Sequence, residues 1–460
     1  MKKFFWRFEK TILFFLKLIM FGSVMAVFFV LFLNVSTVDN KIELLRFSRT
    51  AAIAYPTFAI LGLVLIHIYG GWQIGAKKSR EIIRSIVLAT FFCDVLTFFQ
   101  LSVMLRHVSL HTVGILLVAF FGQIIVIITF TRFGNFIYFK ANDPVPTLVI
   151  YGDEGVLPAH IAKIKSYKKQ WEIKRTIKYD NPGIKNAIRD HEAIFILDTP
   201  KSESPHLLEY CYKHHKMIFY KPNVEDIVIK YSKFLIVDDM TIYSATVRGL
   251  TFEQMAAKRL FDISVSGIIL LLSLPIILIE MLAIKLYDKG PVIYKQERVT
   301  RNGHIFNLLK FRTMIPDAEK SDDPQLSPAD DPRITKVGKI LRKFRLDELP
   351  QLINIFRGDM SFVGPRPERK KVVQTLEQDL PEFRYRLKVK AGLTGFAQIW
   401  GKYNTDLRDK LTLDLMYIEN YSIWLDLQLV LQTIKVLFSP DSVAGYDNKA
   451  VEDFEKIMKK

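Results

Sequence analysis

Residues 345–367 read RLDELPQLINIFRGDMSFVGPRP. Two adjacent acids, Asp347 and Glu348, stand there among Arg345, Arg357 and Arg366. Neighbouring positions on a helix do not share a face, so this is not a simple paired-carboxylate site. Pro350 is tolerated only in the first turn of a helix. ELPQLINIF (348–356) therefore reads as a short helix with Asp347 at or near its N-cap. As a cap Asp347 would contribute about 1 kcal/mol. The arginines offer a second reading, because a helix N-terminus attracts phosphate and guanidinium groups bind it bidentately. A carboxylate among phosphate ligands is repelled unless it is a nucleophile, a metal ligand or both. Asp347 is the candidate for both roles and Glu348 for a supporting one.

Basic and apolar residues interleave upstream. YKQERV (294–299) and NLLKFRTM (307–314) carry Lys295, Arg298, Lys310 and Arg312. ITKVGKILRKFRL (334–346) has apolar residues at helical spacing with five cations around them. It predicts either a helix lying in a membrane interface or a solvated basic helix. Downstream, GDMSFVGPRP (358–367) packs Gly358, Gly364, Pro365 and Pro367 around Arg366 and fixes one guanidinium on a stiff backbone. AGLTGFAQIWG (391–401) is a glycine-rich loop with Thr394 and Gln398 as polar handles.

The run SVSGIILLLSLPIILIEMLAIKLY (264–287) is long enough to span a bilayer, yet Pro275 sits at its centre. Proline removes a backbone hydrogen bond and kinks a helix; nearby Ser273 is placed to satisfy the freed carbonyl. Glu280 is costly in a lipid-facing span. Both flanks are basic, with Lys258 and Arg259 before and Lys285, Lys289, Lys295 and Arg298 after. That pattern predicts a re-entrant hairpin that enters one leaflet, turns at Pro275 and returns; a kinked span is the competing reading.

Four further segments, roughly 11–34, 50–71, 82–105 and 110–131, are long and apolar enough to cross a bilayer. Lys2, Lys3, Arg7 and Lys10 precede the first, Lys77, Lys78, Arg80 and Arg84 lie between the second and third, and Arg132 and Lys140 follow the fourth. The positive-inside rule then places the N-terminus and everything after residue 135 in the cytoplasm. MKKFFWRFEK resembles the start of a signal peptide, but the run that follows is too long and lacks a cleavage site, so an uncleaved anchor is expected. Residues 146–248 read as a soluble α/β module with strands at 147–151, 193–198, 217–220 and 234–239, a pattern that suits a Rossmann-like parallel sheet. Its first turn, GDEGV, lacks the three glycines of a dinucleotide site, which makes the module degenerate. Two cysteines, Cys93 and Cys211, exclude a disulfide scaffold or a zinc cluster. A net charge of +17 with 35 phenylalanines points to anionic lipid or phosphate partners. No nucleic-acid motif accompanies the charge.

From about Lys258 to Phe438 the chain resembles the catalytic domain of the monotopic phosphoglycosyl transferases, the bacterial sugar transferase family. KRLFD, KFRTM, LDELPQL, GDMSFVGPRP and GLTGFAQIWG carry the likeness, in the family's order. With four N-terminal spans and a Rossmann-like module, the chain is similar to the long subgroup, the polyprenyl-phosphate hexose-1-phosphate transferases. The resemblance implies a mixed α and α/β membrane protein: a transmembrane region at 1–135, the module at 146–248 and a catalytic domain at 251–460 with its re-entrant helix at 264–287. It implies transfer of hexose-1-phosphate, glucose or galactose ahead of acetamido sugars, from a UDP-hexose to undecaprenyl phosphate. UMP is released through an aspartyl-phosphosugar intermediate on Asp347, as the first step of capsule or exopolysaccharide assembly in the bacterial inner membrane. It also implies Mg²⁺ at Asp347, phosphate contacts from Lys310, Arg312 and Arg366, and a helix break at Ser273 and Pro275. Homo-oligomers and polysaccharide-assembly proteins are the further partners it suggests. Lys390-Ala391 stands where the family has Arg-Pro, and Trp400-Gly401-Lys402 where it has Asn-Gly-Arg; both departures bear on the loop and the sugar. The competing functions are a non-enzymatic membrane platform for polysaccharide assembly and an anchored nucleotide-sugar oxidoreductase.

Overall fold

The computed structural model describes residues 2–35, 49–105, 110–167, 169–245, 249–315, 318, 331–401 and 405–437. The chain divides into two compact units, Met1–Lys221 and Pro222–Lys460.

The first unit opens with four long helices, α1 (Lys2–Val35), α2 (Arg49–Tyr69), α3 (Ser79–Leu105) and α4 (Leu110–Ala141). Each contains a stretch long and apolar enough to cross a membrane. Their outward faces carry Phe14, Ile60, Phe99 and Phe121, all more than half exposed, which suits lipid rather than water. Between helices the contacts are specific. Gln123 donates to Asp94 Oδ1 (3.1 Å) and to the Val24 carbonyl (3.2 Å), tying α4 to α3 and α1. Such polar pairs hold apolar helices in register where no hydrophobic drive distinguishes neighbour from lipid.

A parallel four-stranded sheet follows, ordered β2-β1-β3-β4. Its strands are β1 (Val145–Tyr151), β2 (Trp171–Lys178), β3 (Ala193–Leu197) and β4 (Met217–Tyr220), alternating with α5 (Leu157–Lys165), α6 (Ile184–Asp190) and α7 (Ser204–Lys213). The central strands β1 and β3 are almost wholly buried, which explains their apolar runs. β2 escaped the sequence reading because it is an edge strand, mostly exposed and rich in charge. Gly152 is used structurally: a Cβ there would overlap the Asp198 carbonyl, so close packing of two strand ends takes the space a cofactor phosphate would need.

The run at 234–239 is not a fifth strand of that sheet. It forms β5 (Lys233–Val237), which pairs antiparallel with β6 (Met240–Ser244) as a separate hairpin in the second unit, after α8 (Val224–Lys230). Asp238, with φ 57°, turns the two-residue loop. Such a loop demands positive φ, which Asp tolerates better than most residues.

The rest of the second unit is built on α9 (Phe252–Asp288), a helix of 37 residues opened by a capping box between Thr251 and Gln254. Pro275 lies inside it. Proline there frees the carbonyl of residue 271, but the Ser273 hydroxyl donates to the Leu270 carbonyl (3.3 Å), one residue away from the expected partner. A hairpin, β7 (Ile293–Val299) with β8 (Ile305–Phe311), follows, then α10 (Lys336–Lys343), a 3₁₀ turn at Leu346–Glu348 and α11 (Gln351–Arg357). Further along are β9 (Ser361–Val363), α12 (Lys370–Asp379), β10 (Gly392–Thr394), α13 (Phe396–Trp400), α14 (Leu407–Glu419) and α15 (Ile423–Leu437). Leu352, Ile355, Met360, Val363, Leu411, Leu415 and Leu429 form the centre of one apolar core. A smaller cluster of Ile284, Phe311 and Leu341 joins α9, β8 and α10. Only Gly338 and Leu341 of α10 are buried while Ile340 and Phe344 are exposed, so its amphipathic pattern leaves an apolar surface outward.

Candidate active site

Three elements converge on the dyad: the end of β8, the 3₁₀ turn and the loop after β9. Asp347 is not the N-cap of α11. Pro350 holds that position, and Asp347 lies inside the preceding 3₁₀ turn. The turn is tightened by bonds from Glu348 N to the Arg345 carbonyl (3.3 Å) and from Leu349 N to the Leu346 carbonyl (3.1 Å). Pro350 has no N–H to extend a helix backward, so the chain takes a separate tight turn first. Arg345, in the left-handed region with φ 54°, sets its direction.

The two acids accordingly point to different surroundings. Glu348 gathers the cations: Lys310 Nζ lies 3.5 Å from Oε1, Arg366 Nη2 3.8 Å from Oε1, and Arg345 Nη1 3.7 Å from Oε2. Burial opposes its charge, but Lys310, Arg366 and Arg345 together outweigh that and hold the carboxyl at about 2. Asp347 is also buried. Burial pushes its carboxyl up, Lys310 pulls it down, and the negative Glu348 pushes it up again. Arg342 and Arg345 add further positive potential. Burial in turn lowers the Lys310 ammonium, which Glu348 opposes. One carboxylate therefore anchors a cation cluster, and its neighbour stands beside that cluster without joining it.

Arg366 rides on a stiff frame. Gly364 N donates to the Thr394 carbonyl (2.8 Å) and Gly392 N to the Pro365 carbonyl (2.8 Å). A Cβ at Gly364 would overlap the Lys390 carbonyl, and one at Gly392 would overlap Gly364 itself. The two glycine-containing turns are thus pressed backbone to backbone, which only glycine permits. Arg298 donates to the Pro367 carbonyl (3.1 Å) and Arg386 to the Arg366 carbonyl (3.0 Å). Almost half of the Arg366 side chain remains exposed to solvent. Beneath the dyad, Asn354 accepts from Leu309 N (2.9 Å) and donates to the Asn307 carbonyl (2.9 Å), locking α11 to the strand that carries Lys310.

Not every expected residue joins. The Arg312 guanidinium is buried against Gly290 and is not among the main charges acting on either acid. Thr394 is buried, its hydroxyl bonded to that of Thr433 in α15 (2.6 Å). The Gln398 amide is enclosed without a hydrogen-bond partner beside Gly395. Ser273 and Pro275 lie within α9. Conversely, Arg342 and Arg345, read from the sequence as helix charge and flanking charge, belong to the field at Asp347. Asp262, whose Oδ1 accepts from Ser361 Oγ and Phe362 N (both 2.9 Å), fastens α9 to β9; KRLFD gave its position but no role.

The bacterial sugar transferase profile matches residues 253–440. The chain is 40% identical over 204 residues to an undecaprenyl-phosphate glucose phosphotransferase of Komagataeibacter xylinus, covering 42% of this chain and 38% of that protein. It is 39% identical over 185 residues to a UDP-N-acetylgalactosamine-undecaprenyl-phosphate N-acetylgalactosaminephosphotransferase of Aeromonas hydrophila, covering 40% and 44%. A UDP-glucose:undecaprenyl-phosphate glucose-1-phosphate transferase of Caulobacter vibrioides is 39% identical over 190 residues, covering 40% of this chain and 71% of that protein. The chain thus spans less than half the length of the first two relatives. The profile's match takes in the dyad, the cation cluster and the paired glycine turns, and the chain belongs to the bacterial sugar transferase family.

Proposed function

We propose that the chain transfers a hexose-1-phosphate from a UDP-hexose, glucose or galactose, to undecaprenyl phosphate, releasing UMP, in the first step of capsule or exopolysaccharide synthesis. One observation carries this reading: Glu348 holds the cations that a diphosphate needs, while Asp347 beside it is buried, acidic and outside that ion-pair cluster. Asp347 Oδ attacks the phosphorus that bears the sugar. The bond to the UMP oxygen breaks, and UMP leaves with the electron pair. An oxygen of undecaprenyl phosphate then attacks the same phosphorus, and the Asp347 carboxylate departs. Lys310 and Arg366 bind and orient the phosphates, and the Lys310 charge, with Arg342 and Arg345, also favours the ionised nucleophile against burial.

A magnesium ion fits this donor set. Mg²⁺ takes one or two carboxylates and completes its shell with phosphate oxygens and water, and Asp347 offers a carboxylate with no hydrogen bond to a described residue. When bound, the ion would neutralise charge on the diphosphate. A nucleotide-sugar oxidoreductase is disfavoured by the closed Gly152–Asp198 contact, and a non-enzymatic platform has no use for the dyad.

The membrane arrangement belongs to the same proposal: four N-terminal spans, a cytoplasmic catalytic domain and a re-entrant α9, in the bacterial inner membrane. A straight helix of 37 residues is about 55 Å long. Lys258 near its start bonds Asp426 of α15, and Ile284 near its end packs on β8 and α10. Both ends of α9 therefore touch the same compact unit, which a full crossing of a hydrocarbon core about 30 Å thick would forbid. That supports entry and return through one leaflet.

The test is UMP release from a panel of UDP-sugars by purified protein with undecaprenyl phosphate and Mg²⁺, beside Asp347→Asn. We expect release from one sugar and loss of turnover in the variant with membrane insertion intact. Turnover undiminished in Asp347→Asn would overturn the mechanism.

A further inference from the structure

One strong charge near the dyad has no counterpart in the reaction as described. Glu280, on α9, is 4% exposed, and neither of its carboxylate oxygens has a hydrogen-bond partner. An ionisable side chain left that way in a membrane-inserted helix is expensive and calls for a ligand. Its direction is fixed by its helix. Ile277 and Ile284 lie three residues before and four after it, on the same face, and both belong to the cluster that includes Leu346 and Leu349. These two leucines bracket Asp347 and Glu348. Glu280 thus faces the turn that carries the nucleophile, and the charged group acting on it most is Asp347 itself. Lys310, Arg345 and Arg366 are already drawn to Glu348. Two buried carboxylates consequently act on one another, and their repulsion is relieved where further positive charge enters.

Building on the reading of Asp347 as the cation-binding nucleophile, we propose that Glu280 is the second protein ligand of the divalent cation, delivered to the site by the membrane-inserted helix. Among the described residues no three His, Cys, Asp or Glu side chains converge as a metal cluster, so phosphate oxygens and water complete the shell, as magnesium ordinarily requires. The arrangement makes cation binding depend on how α9 sits against the dyad. It links seating of the helix in the bilayer to assembly of the catalytic centre.

The experiment uses the full-length protein in lipid nanodiscs without any nucleotide sugar, and Mn²⁺ as the probe, its binding followed by electron paramagnetic resonance. Wild type, Glu280→Gln, Glu280→Asp and Asp347→Asn are compared. Glu280→Gln keeps the shape of the side chain and removes its charge; it should weaken Mn²⁺ binding by at least about tenfold. Asp347→Asn should weaken it comparably, and Glu280→Asp should fall between. Mn²⁺ bound by Glu280→Gln as tightly as by wild type overturns the assignment. In the separate UMP-release assay, a Glu280→Gln effect confined to the KM for UDP-sugar, with Mn²⁺ affinity unchanged, also overturns it, since Glu280 would then be holding a sugar hydroxyl. Should Glu280→Gln fail to fold, Glu280→Asp decides, and a wild-type affinity there overturns the proposal. UMP release by the wild-type protein is scored separately. Its absence for every donor would remove the transferase reading while leaving the Mn²⁺ comparison to stand or fall alone.

Discussion

Replacing Lys258 by methionine gives a demanding test of how the second unit holds its long apolar helix α9. Lys258 Nζ donates to Asp426 Oδ2 (2.7 Å) and to the Tyr417 hydroxyl (2.9 Å), and that hydroxyl donates to Asp426 Oδ1 (2.8 Å). Asp426 is fully buried and Lys258 nearly so. Lys258→Met preserves the length of the side chain and strands the carboxylate. Removing one partner of a buried pair costs about 3–5 kcal/mol. Tyr417 still satisfies one oxygen, which sets the expectation at the low end, about 3 kcal/mol.

Hydrogen exchange of the α15 amides reads that loss directly, because their exchange follows local opening. About 3 kcal/mol corresponds to roughly 100-fold faster exchange. A double variant, Lys258→Met with Asp426→Leu, removes both charges and should exchange more slowly than the single one, since an apolar replacement of a buried pair is often neutral. Acid supplies a third arm. Burial raises the Asp426 carboxyl, Lys258 opposes that, and deleting the lysine raises it further. A carboxyl with a raised folded pKa destabilises only where it is forced to ionise, so the penalty in Lys258→Met should shrink as pH falls from 7 towards about 5. A single variant that exchanges within about threefold of wild type, or a double variant worse than the single, would refute the argument that this pair fastens α9.

The other expectations concern the dyad and its frame. Glu348 is held at about 2, below its ordinary 4.5, so its stabilising charge is present above pH 4.5 and lost as pH falls towards 2. Glu348→Gln should therefore melt lower than wild type at pH 7 and lose much of the acid dependence in that window; parallel pH profiles would contradict this. Gly364→Ala places a Cβ on the Lys390 carbonyl and must part the two glycine turns. Its KM for UDP-sugar should rise about tenfold or more as Arg366 shifts, and unchanged kinetics would show that the frame does not set Arg366.

Much of the second unit was legible because its motifs sit where chemistry constrains backbone and charge together. GDMSFVGPRP and AGLTGFAQIWG predicted tight turns, and the structure adds that the turns press on each other, a non-local fact no spacing reveals. LDELPQL marked the acids, but Pro350 misled: its place at a helix start suggested a cap at Asp347, whereas the chain makes a 3₁₀ turn first. The run at 234–239 looked like a sheet strand because apolar alternation does not say which partner a strand will find; the Asp238-Asp239 pair was the neglected hairpin signal. β2 hid for the opposite reason, since an edge strand needs no apolar run. Arg312 entered the expected phosphate contacts through the family resemblance, together with Lys310. Residues two apart in a strand share a face, but the strand ends at Phe311 and the Arg312 guanidinium turns to Gly290 instead.

Glu280 shows where sequence and structure meet. On the chain it was a lone acid in an apolar run, flagged only as costly. The helix period then aims it, with Ile277 and Ile284, at the turn that holds Asp347. Charge decides the rest. Lys310, Arg345 and Arg366 are drawn to Glu348, while at Glu280 the charged group that acts is Asp347. On the proposal made above, a divalent ion entering beside these two acids would let one buried carboxylate serve in turn as ligand and as nucleophile.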